Sequence, residues 1–465
     1  MLSPLLLALS TAFATRNERP KTVPVVDRNL GGARGRAPRG AHHRGGHVHR
    51  SRSRGGPAPK TQLKPPPPRQ PSSHRKDNPT NASATPPYAC ECPDDPKTAN
   101  VSRQTKNLTA ALACAERPIR PWRRAFVDLR CELWCCAAEI ARALGLSGDA
   151  LRRANSRFRQ SPFEPILGSR TLATWADASI ARRGNEYRVE FDGQKWPLDR
   201  SSSRRSALVV AWAYGAGANA SAAVEAVAAE ATRRNRSRAV LVASGDPPFP
   251  TTTPPPSSAV EIEVWATNVG DDDLLSSSAK TTTTTTIPVK PVPLGVSAGP
   301  NRLWAATLRD KLLGRRDASL RDREVFFLCS GYRVDDRRRR DLDALRKRGF
   351  DECDAPGEHG SRAPPAEYWN RLQSARTVFC PRGFGVATFR AYEALLAGAV
   401  PVFEAYAPHA PLFEDLPVLA VPDLHTLTPT HLRARYAALL ANRSRLDLRR
   451  AFAPFWLAQL ARHTT

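Results

Sequence analysis

The sequence predicts an α/β protein built from two blocks of parallel sheet, with a long basic segment ahead of them. Three observations carry this. Strand, helix and strand succeed one another across 206–246, with apolar strands on either side of an alanine-rich helix. A second run of strands alternating with helices occupies 325–441. Residues 15–88 are Arg, His, Gly, Ser and Pro with almost nothing to bury, which predicts a disordered stem.

Composition sets the outer bounds. A chain of 465 residues has room for two or three domains. Its 41% of apolar residues supports a core, while 42 prolines and a mean hydropathy of −0.44 say that the packing is not continuous. The formal charge of +26 suggests a nucleic-acid binder until it is mapped. The stretch 16–80 sets 16 Lys and Arg against Glu18, Asp27 and Asp77, about half the excess. The remainder is spread thinly, which argues against a nucleic-acid partner. ARGRAPRGAHHRGGHVHRSRSRGG still resembles an arginine–glycine RNA-binding box, so an RNA-binding protein is one alternative.

The flanking features favour a solvated stalk instead. Residues 1–14 carry the apolar run Leu5–Leu9 and the small-residue site Ala12-Phe13-Ala14, the form of a signal peptide or short signal anchor. The run is too short to span a bilayer, which takes about 20 apolar residues. Sequons stand at Asn81, Asn100, Asn107, Asn219, Asn235 and Asn442. Of nine cysteines, Cys90, Cys92, Cys114, Cys131, Cys135 and Cys136 crowd together without zinc-ligand spacing, which predicts a disulfide-stapled subdomain. The odd total leaves at least one thiol unpaired. The expected location is the lumen of the Golgi or endoplasmic reticulum, with a membrane tether possible through the N-terminus.

From Cys90 onward the elements follow in order. CELWCCAAEIARALGLSGDALRRA reads as one or two helices, and EYRVEF (186–191) alternates as a strand. SALVVAWAY (206–214) and RAVLVASGD (238–246) are buried strands around the helix ASAAVEAVAAEATRR (220–234), a pattern that needs a parallel sheet. The tracts PPFPTTTPPPSS (247–258) and SSSAKTTTTTT (276–286) read as surface loops framing the strand EIEVWATN (261–268). In the second block VFFLCS, TVFCP, VPVF and LPVLAV are strands. DRRRRDLDALRKRG, ATFRAYEALLAG and PTHLRARYAALLA are helices, and the last segment is helical with a kink expected at Pro454. The arginine run 337–340 reads as the wet face of its helix. Two such blocks are the plan of a Rossmann-like pair with ligands in the cleft between them.

One stretch carries chemistry: CPRGFGVATFRAYEALLAGAVPVF, residues 380–403. Here a strand turns into a helix through Arg382, Gly383 and Gly385. Glycines let the backbone approach a ligand, and free amides at a helix start favour phosphate oxygens. Arg382 and Arg390 can add forked contacts to a diphosphate. Arg390 and Glu393, three apart, share a helix face toward the loop, where the carboxylate can accept ribose hydroxyls. The plainer alternative is a tight turn followed by a surface ion pair.

These residues resemble the donor-binding segment of exostosin-like glycosyltransferases of the family-47 type. In that family a Ser/Cys-Pro-Arg-Gly turn leads into an Arg-x-x-Glu-Ala-Leu helix and a Gly-x-x-Pro-Val strand. SGDPPF, VWATN, KPVPLGV and YWNRLQSARTVFCP are similar to its signposts upstream, LPVLAVPDLHTLTPTHLRARY and FWLAQL to its tail. The likeness covers about 240–465 and is strongest over 377–421. It implies a GT-B fold: an acceptor-side domain over 89–289, a nucleotide-sugar domain over 290–440 and a C-terminal helix over 441–465. It also implies transfer of a sugar from a nucleotide-sugar donor, a UDP-sugar, to a hydroxyl of a glycan or glycoprotein, with inversion. The low-complexity inserts, Ala399 and the absence of a Glu-x₇-Glu pair (Pro401 stands at the second acid) depart from relatives and leave the donor sugar open.

In that reaction Arg382 and Arg390 stabilise the departing diphosphate, Arg390 as a catalytic residue, and Asp246, ending its strand, is the candidate base. No metal or other cofactor is expected: Asp271-Asp272-Asp273 reads as a solvated loop, and His409, His425 and His431 lack a common ligand spacing. A catalytically inactive lumenal glycan-binding protein is the second alternative.

Overall fold

A computed structural model describes residues 108–121, 126–144, 166, 168, 171–183, 186–191, 206–214, 219–245, 248–270, 286–297, 323–329, 336–351, 353, 364–383 and 385–465. All belong to the second of two compact units, Thr85–Thr465. The expected signal and stem, 1–14 and 15–88, lie outside the described residues, as do Asp246 and Asp271–Asp273.

The protein is mixed α/β with sheets rich in parallel pairs. The larger sheet contains β1 (Ala178–Arg183), β2 (Glu186–Glu190), β3 (Leu208–Tyr214), β4 (Arg238–Gly245), β6 (Thr252–Thr253), β7 (Glu261–Ala266) and β9 (Ile287–Pro291). Its order is β2-β1-β3-β4-β7-β9-β6, parallel from β1 through β9 and closed at each edge by an antiparallel strand. The smaller sheet runs β10 (Val325–Leu328), β11 (Ala375–Phe379), β12 (Val400–Glu404), β13 (Leu419–Val421), all parallel. A separate pair joins β5 (Phe249–Pro250) to β8 (Val269–Gly270).

Alternation along the central strands explains why both faces are covered. Leu208, Val210 and Trp212 of β3 face α3 (Ala220–Arg233), which offers Val224, Val227 and Ala231. Val209 and Ala211 face the other way, toward α1 (Leu108–Ala115), α2 (Phe126–Ala143) and α8 (Ala453–Thr464). Each fully buried Val or Leu contributes about 1.5–3 kcal/mol. In the smaller sheet Val378 and Cys380 pack toward α5 (Pro365–Ser374) and α6 (Phe389–Leu396). Phe379, Val400 and Val402 pack toward α4 (Asp336–Lys347) and α7 (Pro429–Ala441).

Local chemistry sets the ends of these helices. The Asn219 carboxamide accepts from the Ala222 amide at 3.0 Å and opens α3, and Asn235 at φ 53° turns the chain away just beyond it. Gly398, at φ 72°, closes α6 and lets the Ala399 amide reach back to Ala394 O at 2.9 Å. Pro454 does not kink the last helix. It lies in the first turn of α8, where a missing N–H leaves no helix bond unmade. That helix returns to the larger sheet: the Ser206 amide donates to Thr464 O at 2.7 Å, and His463 Nδ1 lies 3.0 Å from Glu263.

The proline tract 247–258 is not wholly a surface loop. Phe249 is buried against the rings of Trp212 and Tyr214, at 5.9 and 5.5 Å, so one aromatic side chain draws the tract into β5. Disulfides join Cys114 to Cys136, tying α1 to α2, and Cys329 to Cys353. Cys135 is disulfide-bonded as well, while Cys380 is a free, buried thiol. These bridges are compatible with a secreted or lumenal protein. Among the described residues no helix is long and apolar enough to cross a membrane.

Candidate functional site

The loop 380–388 leaves the carboxyl end of β11 and enters α6. Its start is pinned by the Cys380 amide donating to Val402 O at 2.8 Å, and Gly383 N turns back to Gly385 O at 3.1 Å. Neither glycine is needed for backbone conformation; Gly385 is needed for close approach, while at Gly383 only the mobile end of an arginine would have to give. A Cβ on Gly383 would stand 2.8 Å from Arg338 Nη2, and one on Gly385 would overlap the Asn268 carboxamide.

Asn268 follows the carboxyl end of β7, so the carboxyl edges of the two sheets meet at this loop. The residue is a fully buried node. Its Oδ1 accepts from the Ala387 amide at 3.1 Å, and its Nδ2 donates to Gly245 O at 3.1 Å. Its own carbonyl accepts from the Phe249 amide and from the Tyr214 hydroxyl. Thr388, the cap of α6, makes no side-chain cap bond, and the Ala387 amide just ahead of it is served from the larger sheet.

The two arginines of the loop and helix stand in different surroundings. Arg390 is buried beneath the loop, its Nε donating to Phe379 O at 2.8 Å and its guanidinium 5.3 Å from the Tyr368 ring centre. The Tyr368 hydroxyl donates to Glu393 Oε2 at 2.6 Å. Burial first, and the Glu393 carboxylate second, hold the Tyr368 phenol well above its usual range, with Arg390 pulling the other way. Burial likewise pushes the Cys380 thiol up to about 12. Arg390 and Glu393 therefore share a cluster under the loop, where they brace it from below.

Arg382 lies nearer the surface. Its Nε is 3.6 Å from Glu404 Oε2 and its guanidinium 5.1 Å from the Tyr406 ring, at the carboxyl end of β12. Arg338 joins it by donating from Nε to Arg382 O at 3.1 Å. This corrects the expectation that the whole run 337–340 faces water. Arg338 falls one turn before the buried Leu342 and Leu345, on the inward stripe of α4, while Arg337, Arg339 and Arg340 are exposed. The spacing 338, 342, 345 was the available signal for it. Asn268 ends the VWATN segment, whose likeness to the exostosin-like family was its only local signal.

A second tie between the sheets is His409, in the turn after β12, whose Nε2 accepts from the Val269 amide at 3.2 Å. Burial, joined by the charge of Arg382, lowers its pKa from 6.5 to about 4. Because the folded value lies below the unfolded one, the contribution of His409 to stability is complete above pH 6.5 and is lost as pH falls toward 4. The loss is on the order of 3 kcal/mol at most. Urea melts between pH 7 and pH 4 are expected to show a steep decline in the wild type and a flatter one in His409→Gln. Parallel profiles would remove the histidine from this account.

Of the residues expected at the site, the structure brings Arg382, Gly383, Gly385, Arg390 and Glu393 into or under one loop, and Asp246 lies outside the described residues. Among the described residues no group of three or more His, Cys, Asp or Glu side chains is placed to share a metal ion. No protein-family model matches the chain, and no curated protein matches it in sequence.

Proposed function

We propose that the chain is a glycosyltransferase of GT-B architecture, similar to the exostosins, acting in the secretory pathway. It moves a sugar from a UDP-sugar to a hydroxyl of a glycan or glycoprotein. One observation carries the reading: two parallel-rich sheets meet carboxyl edge to carboxyl edge at a glycine loop that opens a helix and holds Arg338 and Arg382. Ligands of open α/β sheets bind at such edges.

In the proposed reaction an acceptor oxygen attacks the anomeric carbon, the bond from that carbon to the diphosphate breaks, and the acceptor proton passes to a base. Asp246, next in sequence to Gly245, is the proposed base. Charge builds on the departing diphosphate, and the guanidinium of Arg382, with that of Arg338 beside it, stabilises that charge. Arg390 and Glu393 hold the loop in place from beneath. Asn268 occupies the Ala387 amide, so a donor phosphate at that position has to displace it or bind beside it. The exposed sequon residues Asn219, Asn235 and Asn442, together with the disulfides, support the lumenal setting.

A hydrolysis panel of UDP-, GDP- and CMP-sugars with the purified full chain tests the reading. Release of UDP from at least one UDP-sugar is expected. Glycan binding with no donor hydrolysed at any millimolar concentration would leave the inactive glycan-binding alternative standing instead.

A further inference from the structure

Away from the loop, a cavity of about 340 Å³ opens between the cysteine-rich helices and the C-terminal segment. Its size falls at the lower end of small-molecule pockets, roughly 300–1,000 Å³. Arg117, Arg120 and Arg449 line it with Glu132 and with the apolar residues Leu133 and Phe455.

The charges there do not cancel. Arg449 is held by Asp447, with Nε 3.0 Å from Oδ2, and Arg117 lies 3.8 Å from Glu132. Arg120 gives a donor to Leu446 O at 3.0 Å. Among the described residues the lining thus carries an excess of positive charge, three arginines against Glu132, with Asp447 beside them. Its shape is fixed by a seam of long-range bonds: Ile119 N to Asp447 Oδ1 at 2.9 Å and Leu448 N to Ile119 O at 2.7 Å. The Cys114–Cys136 bridge braces the opposite wall. A preformed space with an excess cation and an apolar floor suits an anionic group carried on a ring, beside a Phe455 ring that also lies 5.7 Å from the Arg449 guanidinium and 5.3 Å from that of Arg450. Guanidinium forks take a carboxylate or sulfate, and Phe455 and Leu133 cover the ring face.

We infer that this cavity binds a small organic anion, a carboxylate or sulfate on a ring, with Arg120 and Arg117 at the anionic group and Phe455 and Leu133 against the ring. The ring can be that of an acidic sugar or of an aromatic acid. Calorimetric titration of the full chain with glucuronate, benzoate, inorganic sulfate and glucose separates these. Saturable binding of glucuronate marks an acidic-sugar site and of benzoate alone an aromatic-acid site, with glucose silent in both cases. Arg120→Gln, a change at an exposed residue, is expected to weaken binding by at least about tenfold. Leu133→Trp, which fills the floor, should abolish it, and Arg382→Ala should leave it as in the wild type. The proposal fails if neither ring-borne anion binds the wild type saturably, if glucose binds as well as glucuronate, or if Arg120→Gln leaves binding unchanged. Arg120→Gln decides alone if Leu133→Trp does not fold. Because Arg382→Ala separates the two sites, this outcome is independent of whether the chain proves to be a transferase.

Discussion

On the proposed transferase reading, Arg382→Ala is expected to lower kcat for donor turnover by about 10²–10³-fold while leaving the protein folded, because one preorganised donor at a developing charge is worth that much. The folded state loses little. The contact with Glu404 spans 3.6 Å and the guanidinium is partly exposed, so the ion pair contributes at most about 1 kcal/mol. Its approach to Tyr406, at 5.1 Å, adds about 0.5–1 kcal/mol. Arg382→Lys should fall between wild type and alanine, since a point charge replaces the fork. Steady-state kinetics beside a thermal melt check this: a large drop in kcat with a small change in Tm is the signature. A kcat within threefold of wild type in the alanine variant would take Arg382, and the electrostatic role of the loop, out of the reaction.

Much of the frame was legible in the sequence, for physical reasons that differ by region. Strands β3 and β4 announce themselves because both faces are buried, so their apolar runs are continuous. The helix between them carries its own start signal in Asn219. By contrast β1, with the sequence ASIARR, buries only Ala178 and Ile180 and ends in two exposed arginines, so no run marks it. Helix α1 spans only eight residues and is held by a disulfide and tertiary packing. Pro454 was misread because proline breaks a helix interior yet suits a first turn, and only the position of the preceding 3-10 turn decides between them.

The loop at 380–388 shows the same division. Its glycines and Arg382 stand in one contiguous stretch, so spacing reveals them. Arg338 was readable from its place on the stripe of Leu342 and Leu345, once that stripe is weighed above the charge of its neighbours. The roles of Asn268, which ends the VWATN segment, and of His409 were not, because each acts across the junction between sheets, on partners 119 and 140 residues away. A neutral polar residue at a strand end looks the same in sequence whether it meets water or another strand's loop.

The second large effect concerns stability and falls on Arg390. Arg390→Met removes a buried guanidinium whose Nε serves Phe379 O and whose charge acts on Tyr368 and Cys380 in opposition to Glu393. Breaking such a buried arrangement from one side is expected to cost about 3–5 kcal/mol, read as a lowered urea midpoint at unchanged m. Glu393→Gln keeps an acceptor for the Tyr368 hydroxyl but removes the opposing charge, and it should destabilise on its own. If the two act as one unit, the double variant will be less destabilised than the sum of the single changes, by more than about 1 kcal/mol. Additive losses would mean that the residues brace the loop separately, Arg390 through Phe379 and Glu393 through Tyr368. The distinction matters for the site above them. A coupled pair fixes the helix start and the glycine loop as a single rigid body, so activity lost in either variant follows the folded fraction. With independent braces, each variant would move the loop without unfolding the protein, and turnover would fall further than the folded fraction does.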